Sequence, residues 1–402
     1  MRKPRKFINS YVAKKSFVFT ILCAYLIILP GCWNKRELDQ SGFVMAIAID
    51  QGKNKQLKLT TQMYRPVAGK KGGGGGTGSA NETANLLIKT EDDSVFEAIR
   101  DIPIHLGRKA SWSHMRIILI GEKLAKSTDV GKLIDFFYRD HEPRHTISIM
   151  IAKGQAAKIL EVKPAIEQTI GQQLLLTKQV AYKNAAKSLD TTLLKFALQM
   201  NAPDSDAAIT YVYKNKGDKN ELNAAGLALL KKGKMVGILP SKKVEGLVML
   251  RNEFRSGIIE IPCPGKALET ESFEVLGLRT RMKPQLAGDK VHVLVKSFVE
   301  GAIGELKCTE IKTRKDEETF IRKVEEQIKK QMLSTIRVLQ ANKTDITDIG
   351  NLIARWHPKQ WNKMKENWDS QFAEIPFDIQ VKLKLLTTGT TIGQPAVSGE
   401  NK

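Results

Sequence analysis

"MRIILIGEKLAKS", residues 115–127, holds a strand, a break and the start of a helix in thirteen positions. Residues 116–120, apolar after Arg116, form a run of strand length, and Gly121 interrupts it. From Glu122 the apolar residues change to helical spacing, and the pattern predicts a helix to about Phe137. The same succession stands on either side. Upstream, "LLIKTEDDSVFEAIRDIP" predicts a strand over residues 86–90. Asp92, Asp93 or Ser94 then caps a helix whose apolar face is Val95, Phe96, Ile99 and Ile102. Downstream, "HTISIMIAKGQAAKIL" predicts a strand over residues 146–152, then Gly154 and another helix. Three such units in a row indicate layers of helix over sheet.

Working outward, "SGFVMAIAID" (residues 41–50) reads as a buried strand, and "QLKLTTQMYRP" (residues 56–66) as its hairpin partner across the turn-rich "QGKNK". Five consecutive glycines, Gly72–Gly76, lie in a loop over residues 69–80. Each glycine loses a large backbone entropy on ordering, so a flexible loop is expected. A phosphate-binding loop needs Lys-Ser/Thr after its glycines. Here Lys70 and Lys71 precede them, which excludes that reading. Residues 164–198 predict two helices, the second capped by Asp190 or Thr191, and "NAPDSDA" (residues 201–207) holds the turn-forming residues of a domain joint.

Beyond that joint, strands are expected over residues 208–213, 226–230 and 235–239, the last two joined at Lys232-Gly233-Lys234. A helix over 245–250 and a strand over 257–262 follow. Two long alternating strands then flank a turn at residues 286–289. Phe320, Val324, Ile328, Met332, Ile336 and Leu339 mark one long amphipathic helix. Trp356, Trp361 and Trp368 come next, at a spacing that fits core packing better than an exposed patch. In "FDIQVKLKLLTTG", Ile379, Val381, Leu383 and Leu385 alternate strictly, as in a strand. The expected fold class is α+β and multi-domain, with mixed, mostly antiparallel sheets and helices packed on them.

At the other end, the first 15 residues carry six cations and no acid, and residues 17–29 are apolar except for Thr20. A basic head with a core of this length describes a secretory signal peptide, whereas a spanning helix needs about 20 apolar residues. Leu29, Pro30, Gly31 and Cys32 resemble the bacterial lipobox, in which small residues precede a cysteine at the scissile bond. That resemblance implies cleavage after residue 31, with S-diacylglycerol and an N-acyl group on Cys32. The division expected is a signal peptide over 1–31, an N-terminal α/β region over 32–203, a C-terminal α+β domain over 204–388 and a disordered tail over 389–402.

The net charge is +21, and removal of the leader's six cations leaves +15. Such a balance suits nucleic acid, anionic lipid or anionic wall polymer. Nucleic acid is set aside, because aromatics are only 6% of residues and no basic-aromatic motif is present. Apart from Cys32, the mature chain holds Cys263 and Cys308. These could pair in an oxidising compartment, and two buried free thiols explain the count equally well.

"HEPRH" (residues 141–145) matches the His-Glu-x-x-His zinc pattern formally. Pro143 disfavours helical backbone at Glu142, so His141 and His145 are not expected on one helical face. His105 and His114 have no nucleophile identifiable beside them, and no Gly-x-Ser-x-Gly elbow is present. Asp92-Asp93 and Glu325-Glu326 are adjacent pairs that diverge on a helix. No catalytic residue, metal ligand or cofactor is therefore expected.

Several blocks together resemble the Ger(x)C family, the lipoprotein subunit of bacterial spore nutrient-germinant receptors. They are "GCWNKRELDQSGFVMAIAID", with Trp33, Glu37-Leu38 and Asp50, then "FYRDHEPRHTISIMIAKGQAAKIL", "GLALLKKGKMVGILPSKKVEGLVMLRNE" and "WHPKQWNKMKENWDSQF". The resemblance implies a non-enzymatic subunit tethered outside the spore inner membrane. It would work beside two integral membrane subunits, of the A and B type, while the positive charge suits an anionic membrane surface. The competing expectations are a solute-binding lipoprotein with a cleft between two similar lobes, and a cell-wall hydrolase with a carboxylate or metal cluster.

Overall fold

The computed structural model describes residues 15–21, 40–53, 56–65, 85–215, 217, 221–266, 268–288 and 290–387. Cys32, the glycine run 72–76 and the tail 389–402 lie outside the described residues. The chain divides into a first unit, Met1–Ser41, and a second, Gly42–Lys402. In the first, residues 15–21 are helical. No helix among the described residues is long and apolar enough to cross a membrane.

Among the described residues, the second unit contains two sheets. The larger has the order β3-β2-β1-β5-β6-β7-β8-β9, with β4 (Lys109–Ser111) paired to β1. Its centre is parallel: β1 (Ser41–Gln51), β5 (Ile117–Gly121), β6 (Ser148–Ala152) and β7 (Asp206–Lys214) run side by side. β2 (Leu57–Tyr64) and β3 (Asn85–Asp92) extend one flank antiparallel. β8 (Leu222–Lys231) and β9 (Lys234–Leu239) extend the other. Every residue of β5 and β6 is buried, as in parallel strands covered on both faces. One face carries helices Val95–Arg100, Val130–Arg139 and Leu193–Met200; the other carries Ile170–Lys183.

The smaller sheet has the order β10-β11-β12-β13. β10 (Gly257–Pro262), β11 (Thr270–Ala287) and β12 (Lys290–Glu305) are antiparallel, and β13 (Phe377–Thr387) joins β12 in parallel. Its inner face packs on the helix Arg314–Ala341. There Phe320, Val324, Ile328, Met332, Ile336 and Leu339 are all buried. At about 1.5–3 kcal/mol per fully buried apolar side chain, this stripe outweighs propensity differences of a few tenths of a kcal/mol per residue. Thr313 and Asp316 close the helix start as a capping box: Thr313 Oγ1 accepts from Asp316 N, and Asp316 Oδ2 accepts from Thr313 N at 2.8 Å.

Helix boundaries depart from the sequence reading. The helix expected from Glu122 to about Phe137 is two helices, Glu122–Ser127 and Val130–Arg139. Asp129 interrupts them, because its Oδ1 accepts from Gly131 N at 2.8 Å and caps the second. The cap of Leu193–Met200 is Thr192, not Asp190 or Thr191. Thr191 instead donates to the Ala208 carbonyl at 2.9 Å, and Asp190 faces two lysines. The expected boundary at 203/204 falls at a turn that feeds β7, and β7 pairs with β6 from before that turn and β8 from beyond it.

Candidate functional site

The residues singled out for chemistry lie apart. His141–His145 form bends and turns, and Glu142 pairs with Lys109 at 2.8 Å, so no helical zinc face exists there. His105 is exposed at the end of a short helix, and the His114 ring lies against Phe43 at 5.2 Å. Glu325 Oε1 accepts from Leu383 N at 2.8 Å and so fastens β13 to the long helix. The tryptophans divide. Trp361 and Trp368 are buried and touch edge to face at 5.4 Å, whereas Trp356 is 69% exposed. The expectation of core packing therefore fits the first two and not Trp356, whose helix turns it outward.

Cys263 and Cys308 are joined in a disulfide. Glu271 lies beside them and is buried. Its Oε1 accepts from the backbone amides of Lys307, Cys308 and Thr309 at 3.1, 2.9 and 2.6 Å, and its Oε2 accepts from Thr309 Oγ1. The three residues form a group of potential metal ligands by distance alone. The disulfide and the amides already engage their donor atoms, so the arrangement is a clamp on the strand ends.

Asp50 ends β1 and is 6% exposed. Its carboxylate accepts from Ala156 N at 2.7 Å and Ala157 N at 2.8 Å. A side chain at Gly121 would collide with this carboxylate, so the close approach of β5 requires glycine there. Burial pushes the Asp50 carboxyl up, and the two amides counter it. The bonds span more than 100 positions and lock β1 to the turn after β6.

Lys178 is fully buried on the helix Ile170–Lys183. Its Nζ donates to Ser148 Oγ and to Asp190 Oδ1, both at 2.8 Å, while Lys195 Nζ donates to Asp190 Oδ2 at 3.0 Å. Burial pushes the lysine pKa down. Asp190→Ala is expected to cost about 3–5 kcal/mol, because it leaves a buried cation with one hydroxyl partner. Lys178→Met removes the charge itself and should cost much less; urea unfolding of both variants checks the order.

A group that sequence reading missed sits where β7 meets the segment before the helix Ile349–Trp356. Asp206 Oδ2 accepts from Asp345 N at 2.7 Å. Asp345 is 2% exposed. It accepts from Thr347 N and Oγ1, Ile349 N and Gly350 N, and from Trp368 Nε1 at 3.3 Å. It thereby serves the helix start that Asp348, in the left-handed region at φ 67°, does not cap with its side chain. Asp204 stands beside them. Burial first, then the Asp345, Asp206 and Asp348 charges, push Asp204 up to about 8. Burial pushes Asp206 up to about 7. Lys231 pairs with Asp369 at 2.9 Å and also reaches the Lys343 carbonyl; Arg251 reaches Glu253 and Asp348. The only local signal the sequence reading used was "NAPDSDA", read as the turn-forming residues of a domain joint.

An open cavity of about 490 Å³ lies at the tip of the β11–β12 hairpin, lined by Gln285, Lys290, His292, Gln371 and Glu374 among others. The larger sheet contributes no residue to its lining, and the two sheets differ in size, strand direction and helix cover. This is not the pair of similar lobes that a solute-binding cleft was expected to need.

The family described as "Spore germination protein N-terminal domain" matches residues 34–214, and "Spore germination B3/GerAC like, C-terminal" matches residues 225–389. Spore germination protein KC of Bacillus subtilis (strain 168) is 26% identical over 398 residues, covering 94% of this chain and 97% of that protein. Spore germination protein B3 of the same organism is 26% identical over 94% of this chain and 99% of its own length. GerQC of Bacillus cereus is 23% identical, with the same two coverages. The crystal structure of the GerBC protein shares the fold, at a TM-score of 0.53 and 22% identity over 85% of this chain and 96% of that one. The chain belongs to the Ger(x)C family of spore germination proteins.

Proposed function

We propose that the chain is the lipid-anchored subunit of a spore germinant receptor, held on the extracytoplasmic face of the inner membrane through acylated Cys32. It docks there on two integral membrane subunits of the A and B type, and assembles or signals through them when a nutrient binds. The observation that carries this reading is one of order. The lipobox-like Leu29-Pro30-Gly31-Cys32 ends two positions before the family match begins at position 34, with Trp33 alone between them. A tether of this kind raises the effective concentration of the body at its partners, to the millimolar range for short flexible linkers. Two or three acyl chains hold it, since each buried methylene contributes about 0.8 kcal/mol. The role is non-enzymatic: the buried carboxylates and lysine described above are engaged in holding elements together.

The test is Cys32→Ser, expressed without the two membrane subunits and followed through a salt and carbonate wash. The wild-type chain is expected to stay with membranes and the variant to be released. Retention of the variant would overturn the anchor. Failure of the wild-type chain to be pulled down with membrane subunits from a detergent extract would overturn the receptor assignment.

A further inference from the structure

The outer face of the smaller sheet is left open by the rest of the described chain, and its chemistry is uneven. Arg279, Arg281 and Lys283 on β11, Lys296 on β12, and Lys382 and Lys384 on β13 are all exposed. The pairing register places them on one face: Arg281 lies opposite Lys296, and Phe298 lies between Arg279 and Lys382. Against these six cations the same part of the face carries Glu300, which pairs with Lys384 at 3.9 Å, and Asp378. Like charges directly opposite each other, as at Arg281 and Lys296, destabilise a free sheet. An external negative charge relieves that cost. Strands stand about 4.8 Å apart, and same-face residues recur about every 6.8 Å. The cations therefore form a flat array over three strands, not a line along a groove. Phe298 is 44% and Leu386 48% exposed among them. Apolar groups framed by long cationic side chains suit the boundary between headgroups and acyl chains.

We propose that this face of β11, β12 and β13 is a docking surface for the anionic phospholipid surface of the membrane. It deepens the tether reading above: the anchor holds the chain near the lipid, and this face orients the body on it. A cation near an anionic leaflet gains about fivefold in partitioning, and the gain fades with salt.

The experiment is lysine-reactivity footprinting of the full acylated chain on vesicles. Lys296 and Lys382 are expected to react at least about fivefold more slowly on vesicles one-third phosphatidylglycerol than on pure phosphatidylcholine, with the difference lost at high salt. Lys329 and Lys330, exposed on the long helix, should react alike on both. In the Cys32→Ser chain, Arg281→Glu with Lys296→Glu should weaken binding to the anionic vesicles by more than tenfold without changing the unfolding midpoint. Equal reactivity on the two vesicle types overturns the proposal, as does protection that requires the membrane subunits, which would assign the face to an acidic protein segment. The two readings separate cleanly. A chain that stays on neutral vesicles while its lysines remain reactive keeps the anchor and loses the face. A chain released from neutral vesicles, yet protected on anionic ones, does the reverse.

Discussion

Reducing the protein with a strong dithiol is expected to lower its unfolding free energy by about 4 kcal/mol, the loop-closure term for a cross-link of this span. Cys263 and Cys308 are 45 positions apart and enclose the whole β11–β12 hairpin. Without the cross-link the denatured chain regains the freedom of that loop, and the native clamp loses a tie beside Glu271. Differential scanning with and without reductant measures the effect as a fall of several degrees in Tm. A Cys263→Ala, Cys308→Ala chain should melt near the reduced value and ignore the reductant. If oxidised and reduced wild-type chains melt together, the cross-link contributes nothing to stability.

Stability is also expected to fall as pH rises from about 5 to 8.5, because of the carboxylates at the start of β7. Asp206 is pushed up to about 7 and Asp204 up to about 8, whereas an unfolded aspartate titrates near 3.9. Between those values the native state binds protons that the unfolded state has released. The stabilisation is therefore complete below about pH 4 and is lost as pH climbs through the folded values. Lys231, Arg251, Asp345, Asp348 and Asp369 surround the pair and set its field. Two pH units of differential proton binding at Asp206 and three at Asp204, at about 1.4 kcal/mol each, set an upper bound of about 7 kcal/mol on the loss across the window. Asp206→Asn keeps an acceptor for Asp345 N and mimics the protonated acid, so Asp204→Asn with Asp206→Asn should flatten the profile and raise stability at pH 8.5. An unchanged slope in the double variant would place the titration elsewhere.

Most individual elements were readable in the chain. The alternation of Ile379, Val381, Leu383 and Leu385 sets β13, and the four-residue rhythm from Phe320 to Leu339 sets the long helix. Both signals arise from one face meeting a core, which local sequence records directly. Boundaries were less readable: Asp129 and Thr192 each won a cap over a neighbour of similar chemistry, because capping depends on backbone angles that the surrounding packing selects. The split among the tryptophans followed the same rule. Position along a helix does not say which helix packs against it, so Trp356 and Trp361 looked alike until their surroundings were known.

The sequence by itself determined the order of strands and helices and the family blocks, since each depends on residues close together along the chain. Tertiary structure alone decided that β1, β5, β6 and β7 lie parallel, that Asp206 meets Asp345 across 139 positions, and that six cations of three strands share one open face. Those arrangements are set by which distant surfaces bury together, a free-energy balance over the whole fold that no short window of residues contains.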